Sequence, residues 1–192
     1  MTRAVFRVLV VPAALVLLSA AGQPPDKKDP QSTFEPKSKP GAGQKFLEQF
    51  VGDWDVAKSF HPRAGEPTKQ KGECKQTMLH GGRFLQSEFT FVTSDGGKST
   101  GTGLIGWEPE TGKFTSVWID SRQTRMSFRQ AENKFDGDEI VLFGKDLSGK
   151  ESRRSKTVTR LEDGGKKIVH RQYAVNADGT ERLVMELVMT KK

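Results

Sequence analysis

The sequence has one cysteine and three histidines in 192 residues. Because Cys74 has no second cysteine to pair with, an intramolecular disulfide is excluded and the fold must be held by its core alone. Cys74 lies in a predicted strand, where we expect a buried, unreactive thiol. The histidines, His61, His80 and His170, lack the short spacing of a metal site, so the sequence predicts no metal centre.

Familiar catalytic motifs are also missing. The chain contains no Gly-x-Ser-x-Gly, no His-Glu-x-x-His and no phosphate-binding loop. The acidic run Asp136-Gly137-Asp138-Glu139 lacks the spacing of a calcium loop and is typical of a hairpin turn. The sequence therefore predicts no resident cofactor and favours a protein that is not an enzyme.

Long apolar runs are absent after residue 21. The run at residues 8–21 has 14 residues, fewer than the ~20 that span a bilayer, so a membrane anchor is disfavoured. Arg3 and Arg7 precede this run and the small residues at 19–21 end it. This three-part pattern predicts a signal peptide over residues 1–21, an exported periplasmic or extracellular protein, and no stable membrane span after cleavage.

Acidic residues are fewer than basic ones, but the imbalance is small. Removing Arg3 and Arg7 from the 31 lysines and arginines leaves 29, against 24 aspartates and glutamates. This mild excess is weak evidence for an anionic partner, and an exported protein is not expected to bind nucleic acid. Arg154, Lys156 and Arg160 share one face of a predicted strand, so a surface that binds an anionic envelope polymer is one alternative function.

The segment after the signal peptide is rich in proline. Residues 22–43 hold five prolines among Lys, Asp, Ser and Gln, and they predict a disordered linker before a domain at 44–192. Residues 44–51 carry the apolar stripe of a short helix, which Gly52 is predicted to end in the left-handed conformation. Trp54 follows. A helix, a Gly-x-Trp and a β-meander are typical of lipocalin-like barrels, in which the tryptophan plugs one end.

The rest of the chain alternates apolar, β-branched runs with glycine-rich turns. Hairpin turns are predicted at His80-Gly81-Gly82, at Asp95-Gly96-Gly97 and at residues 109–112. No segment after residue 51 repeats with a helical period over three turns. About ten short strands joined in this way predict an all-β fold, a single antiparallel up-and-down barrel, because closure removes exposed strand edges.

The order of several short motifs resembles that of a known bacterial family. The motifs are Gly52-Asp53-Trp54, His80-Gly81-Gly82-Arg83, Gly103-Leu104-Ile105-Gly106-Trp107, Gly112-Lys113-Phe114, Trp118-Ile119-Asp120-Ser121 and Met185-Glu186-Leu187. Together they resemble the family catalogued as domain of unknown function 1579, over about residues 44–192. The resemblance implies a lipocalin-like (calycin) barrel in an exported bacterial protein. It brings no established activity.

Two tryptophans are candidates for the barrel interior. Strand alternation puts Trp118 on the same face as Phe114 and Asp120, and puts Trp107 on the same face as Ile105. The hairpin between them predicts that Trp107 and Trp118 are cross-strand neighbours. They either wall a ligand cavity or form part of an ordinary aromatic core.

Four polar residues are the remaining candidates. Asp120 and Arg125 flank a predicted barrel mouth, where they either grip a polar head group or serve as a turn cap and a solvated arginine. Glu88 is either an inward carboxylate or a residue of the wet face. His170 lies mid-strand and is the one candidate axial ligand if the barrel holds haem; the alternative is a structural histidine.

These residues lead to two further functional hypotheses beside polymer binding. The leading one is a non-enzymatic barrel that binds a small apolar or amphipathic ligand. Its candidate contacts are Trp107, Trp118, Asp120, Arg125, Glu88 and His170. The alternative is an enzyme of the hydratase or isomerase type that uses Asp120, Glu88 or His170 as an acid–base group, which a strongly shifted pKa inside a closed cavity would favour. The sequence indicates no oligomeric state.

Overall fold

A computed structural model of the chain describes residues 38–145 and 154–192. The predicted signal peptide and most of the predicted linker lie outside the described residues. Within the described ranges, no helix has both the length and the apolar character needed to cross a membrane.

Ten strands form one closed antiparallel barrel. The chain runs through helix α1 (Ala42–Glu48), β1 (Gly52–Phe60), β2 (Thr68–Leu79), β3 (Phe84–Val92), β4 (Lys98–Glu108), β5 (Lys113–Asp120), β6 (Ser127–Gln130), β7 (Glu139–Lys145), β8 (Arg154–Glu162), a 3-10 turn (Asp163–Gly165), β9 (Lys167–Val175) and β10 (Glu181–Lys191). Each strand pairs with the next, and β10 pairs with β1 to close the sheet. The predicted all-β, up-and-down barrel is confirmed.

Helix α1 begins two residues before the predicted start of the domain and is fastened to β4. The Gly41 backbone N–H donates to Oε1 of Gln44 (2.8 Å), whose Nε2 donates to the carbonyl of Trp107 (2.9 Å). A Cβ built on Gly43 would collide with the Trp107 indole ring. Glycine at this position therefore allows the helix to lie directly on the indole.

The helix closes one end of the barrel over a solid aromatic plug. Trp54 is 0 % exposed and its Nε1 donates to the carbonyl of Phe50 (3.0 Å). Next to it, the ring centroid of Phe135 lies 4.7 Å from that of Phe46 and 5.0 Å from that of Phe114. The prediction that a tryptophan and a helix plug one end is confirmed.

Gly52 does not end the helix as predicted. Its φ of +142° lies outside the left-handed helical region, near +57°, and it is the first residue of β1. The helix has already ended at Glu48, and the N–H of Val51 donates to the Glu48 carbonyl (3.2 Å) in the turn that follows. Glycine is used here to turn the chain so that Trp54 enters the barrel.

The register of the β4–β5 hairpin separates the two candidate tryptophans. Glu108 pairs with Lys113 at the turn, so Trp107 pairs with Phe114, next to the turn. Trp118 lies further along β5 and pairs with Gly103. The prediction that the tryptophans are cross-strand neighbours is wrong, because Trp107 is one residue from the closing pair and Trp118 is five.

The basic residues of β8 lie on the outer face of the barrel, each beside a glutamate. The ion pairs are Arg154–Glu132, Lys156–Glu181 (3.0 Å) and Arg160–Glu139 (2.5 Å). An anionic polymer needs unbalanced positive charge, and these pairs remove most of it. We therefore do not carry polymer binding forward as a function.

Candidate ligand-binding cavity

The barrel encloses a cavity of about 630 Å³. It extends from Leu47 and Phe50, beneath the helix-capped end, to Phe60 and Arg122 at the opposite rim. Cavities that bind small molecules measure roughly 300–1,000 Å³. The interior therefore has room for a ligand between the aromatic plug and the opposite rim.

One wall of the cavity is apolar and lies on β3, β4 and β5. Its main residues are Leu85, Phe89, Phe91, Ile105 and Trp118. The rings of Phe89 and Trp118 meet edge to face, with centroids 5.6 Å apart. A Cβ built on Gly101 would collide with the Trp118 indole, so glycine on β4 lets the indole lie close to the sheet. This wall is therefore apolar and mainly aromatic.

Most of the polar lining lies on β6, next to β5, and on β8 and β9, which face β3–β5 across the barrel. These polar residues are Ser127, Arg129, Thr157, Thr159, His170 and Gln172, and the apolar Ile140, Leu142 and Ile168 lie among them. An apolar surface facing a few convergent polar groups is the usual lining of a small-molecule site. The two walls together suit a molecule with one apolar and one polar side.

His170 is the titratable group deep in the polar wall. Its Nδ1 lies 2.8 Å from Oγ1 of Thr159, which holds the ring in place. Burial, and then the positive charge of Arg129, lower the pKa of His170 to about 4. The imidazole is therefore neutral at pH 7, and it lines the cavity as the haem and enzyme interpretations both require.

Asp120 sits at the rim and is fully engaged by its neighbours. Oδ2 accepts hydrogen bonds from Nε1 of Trp118 (2.9 Å) and Nε2 of Gln123 (3.2 Å), and Oδ1 accepts one from the Arg122 N–H (2.8 Å). Burial raises the pKa of Asp120, but these bonds outweigh it and leave the pKa below its usual value. Asp120 thus caps the turn and orients Trp118. None of the described ion pairs joins Asp120 to Arg125.

Cations outnumber carboxylates around the cavity. Lys58, Arg122, Arg125 and Arg129 line it, whereas Asp120 is the one carboxylate among its described lining residues. The pKa of Lys58 is lowered by burial and then by the charge of Arg122, although Asp120 raises it. The interior and rim therefore carry an excess of three positive charges.

Arg129 is the site residue that the sequence did not predict. It lies inside the barrel between Ser116 of β5 and Gly144 of β7, and its Nε is buried with no hydrogen-bond partner in residues 38–145 and 154–192. Burial lowers the pKa of its guanidinium. The adjacent Phe128 faces outward, opposite Val117. Because the apolar residue is outside and the charged one inside, strand alternation gave no signal for this site.

Two predicted contacts lie away from the cavity. Glu88 is exposed and lies opposite Lys75 and Thr102, so it belongs to the wet outer face, one of the two alternatives predicted for it. Alternation gives the inner face of β3 to Phe89 and its partners, not to Glu88. Trp107 lies under helix α1 and does not line the cavity. The four candidates that do line it are Trp118, Asp120, Arg125 and His170.

The single thiol and the metal-binding groups add nothing to the site. Cys74 is buried, and burial followed by the charges of Glu88 and Asp53 raises its pKa to about 12, which makes it a poor nucleophile. In residues 38–145 and 154–192, no three His, Cys, Asp or Glu side chains gather as potential metal ligands.

Comparison with known proteins places the chain in a family. The profile of the family described as Protein of unknown function (DUF1579) matches residues 39–191. The chain belongs to this DUF1579 family. Comparison with curated proteins gives no significant sequence match.

Two solved structures have a similar barrel. One is Rv2717c from M. tuberculosis, with 16 % sequence identity and a TM-score of 0.59 over 81 % of this chain and 99 % of that one. The other is the S-type phycobiliprotein lyase CPES from Guillardia theta, with 11 % identity and a TM-score of 0.53 over 78 % of this chain and 92 % of that one. At these identities the likeness shows the fold alone.

Proposed function

We propose that this DUF1579 protein binds a small amphipathic molecule inside its barrel. The observation that carries the proposal is the cavity of about 630 Å³ with an aromatic wall facing a polar one. The packed plug under helix α1 shows that the same barrel fills its interior with side chains at its other end. The cavity is therefore a property of the residues that line it and not of the fold.

The apolar part of the ligand packs against Phe89 and Trp118. Each CH₂ group removed from water there contributes about 0.8 kcal/mol. The hydrogen bond from Nε1 of Trp118 to Asp120 holds the indole in position before the ligand arrives, which reduces the entropy lost on binding. The polar part faces His170 and its neighbours on β8 and β9.

The phycobiliprotein lyase with the same fold adds limited support. It shows that a barrel of this kind occurs in a protein with an assigned activity. Because the likeness extends to the fold alone, the proposal depends on the cavity of this chain.

The test compares two variants of neighbouring residues on β5. Ser116→Phe adds a ring to the inner face, whereas Thr115→Phe adds the same ring to the exposed outer face. Native mass spectrometry of protein purified from its host should find a bound small molecule in the wild type and in Thr115→Phe, but not in Ser116→Phe. Repeated recovery of empty wild-type protein, with no thermal shift across a panel of lipids and metabolites, would contradict the proposal.

An enzyme is the second candidate, and His170 favours it. Of the three predicted acid–base residues, Asp120 is engaged as a cap and Glu88 lies outside, whereas His170 lines the cavity with a pKa lowered to about 4. A general base works best with a pKa near the working pH, so binding without turnover is the stronger proposal. If the bound molecule is recovered chemically changed by the wild type but intact from His170→Gln, the enzyme hypothesis replaces it.

We also propose that the protein is exported. The support is the sequence pattern of residues 1–21, with basic residues, an apolar run and small residues in order. Mass spectrometry of the protein from its host should find it outside the cytoplasm without this segment. An intact Met1 on a cytoplasmic protein would overturn the proposal.

A further inference from the structure

The Nε of Arg129 is buried and has no hydrogen-bond partner among the described residues. We propose that the ligand is an apolar organic acid whose carboxylate pairs with Arg129 while its body lies against the aromatic wall. The inference rests on the proposed function and names the chemical class of ligand.

The first argument is the state of Arg129 itself. Its Nε is buried and has no hydrogen-bond partner, and none of the described ion pairs includes it. A buried charge without a partner is costly, since desolvation is not offset by a carboxylate or by hydrogen bonds. A ligand that supplies a carboxylate would offset this cost.

The second argument is the charge around the cavity. Nearby His170 is neutral at pH 7, and the described hydrogen bonds and ion pairs join Asp120 to Trp118, Arg122 and Gln123 but not to Arg129. Lys58 and Arg122 add positive charge at the rim. A field of one sign in a low-dielectric cleft attracts ligands of the opposite sign, so it draws an anion inward.

The third argument is depth. Arg129 lies opposite Ser116, four residues before Asp120 at the end of β5. At roughly 3.3 Å per residue, its backbone lies about 13 Å along β5 from the rim. Trp118 lies between these two positions, so a ligand that extends from the rim to Arg129 packs an apolar body against the indole.

The fourth argument selects a carboxylate among anions. Arg129 is the one cation at that depth, with the neutral Thr159 and His170 on the polar wall and Ile140 and Leu142 beside it. A single guanidinium balances a single charge, and its planar fork matches a carboxylate in two parallel hydrogen bonds. A phosphate monoester, with close to two charges, would leave one uncompensated.

The test uses pairs of probes with the same apolar body and different head groups. These are dodecanoate with dodecanol, and phenylbutyrate with phenylbutanol, measured by isothermal titration calorimetry. In the wild type, the acid of at least one pair should bind about ten- to a hundredfold more tightly than its alcohol, the range expected for a charge-assisted hydrogen bond.

Three variants test the assignment to Arg129. Arg129→Gln should lose the preference for the acid while binding the alcohol as the wild type does, and Arg129→Lys should restore part of it. Arg160→Gln removes the same charge from the outer face, where Arg160 pairs with Glu139, and should keep the preference.

The outcomes separate this inference from the proposed function. If no member of either pair binds, the proposed function itself is contradicted. If acid and alcohol bind equally to the wild type, or if Arg129→Gln keeps the preference, the cavity binds ligands but the inference is overturned.

A second readout needs no variant and covers the case in which Arg129→Gln does not fold. The Nε–H signal of Arg129 in the NMR spectrum of the wild type should shift when the acid is added and stay in place when the alcohol is added. An unchanged signal on saturation with the acid would overturn the inference.

Discussion

The two ends of this barrel are built from the same strands but differ in what fills them. At the helix-capped end, Trp54 is 0 % exposed and its indole N–H bonds to the carbonyl of Phe50. Toward the rim, Trp118 is only half-buried and its indole N–H bonds to Asp120. Trp54 is therefore part of a packed core, whereas Trp118 forms part of the cavity wall.

This difference indicates that the helix-capped end contributes mainly to stability and the cavity end mainly to ligand binding. The plug packs the aromatic rings of Phe46, Phe50, Phe114 and Phe135 together. The cavity end instead keeps Arg129 inside the barrel, with a buried Nε that has no hydrogen-bond partner among the described residues. We expect substitutions at the plug to reduce stability and substitutions at the cavity end to change ligand binding.

Replacing each tryptophan with alanine should give the largest difference. Trp54→Ala leaves a hole in close packing and is expected to lower the free energy of unfolding by about 3–5 kcal/mol. Trp118→Ala enlarges a space that is already open, and should cost about half as much or less. Urea denaturation measures both; equal losses at the two positions would remove the distinction between the ends.

The stability of the protein should depend on pH through His170, which lines the cavity. Its pKa is about 4 in the folded protein against 6.5 in the unfolded chain, so between these values the unfolded chain binds more protons. Stability should therefore fall as the pH falls from 6.5 to 4, by up to about 3 kcal/mol. His170→Gln should flatten this part of the profile and His61→Gln, outside the cavity, should not. A slope unchanged in His170→Gln would contradict the assignment.

Adding one methyl group at each end gives a smaller contrast. Ala at Gly43 collides with Trp107, which is held between helix and sheet, and should cost about 1–3 kcal/mol. Ala at Gly101 collides with Trp118, which can move into the cavity, so Gly101→Ala should cost less than Gly43→Ala and weaken ligand binding. Thermal unfolding and calorimetry with dodecanoate measure the two effects. A larger loss of stability at Gly101 would show that Trp118 is packed as firmly as Trp107.

The smallest effect is expected at the rim. Asp120→Ala removes the acceptor of the Trp118 and Arg122 N–H groups and should lower stability by about 1 kcal/mol. Asp178→Ala is the matched control, since Asp178 caps an outer turn by accepting from the Thr180 N–H. Both should lose similar stability, but only Asp120→Ala should weaken ligand binding. Equal binding by the two variants would mean that Asp120 does not preorganise Trp118.

The strands and the plug could be predicted from the sequence. Glycine-rich turns separate runs of β-prone residues, and Gly52-Asp53-Trp54 follows a short apolar helix. These are local signals, because the residues that form each turn or cap are neighbours in the chain. The same alternation correctly put Phe114, Trp118 and Asp120 on one face of β5.

The polar wall could not be predicted in the same way. Alternation assigns residues to two faces but does not say which face is inside, and β6 turns Arg129 inward and Phe128 outward. On β3 the same ambiguity left Glu88 open, and the structure puts it outside. The separation of Trp107 from Trp118 depended on which two residues close the hairpin. A shift of one residue in that closing pair changes the cross-strand partner of every residue along both strands.

Methyl NMR during a titration with dodecanoate tests the central claim most directly. The methyl signals of Ile140 and Leu142, which face the cavity and are 3 % and 5 % exposed, should shift. Those of Val92 and Ile119, which are 58 % and 45 % exposed and do not line the cavity, serve as the outer reference and should stay in place. Shifts confined to Val92 and Ile119, or none at saturating dodecanoate, would contradict a ligand-binding interior.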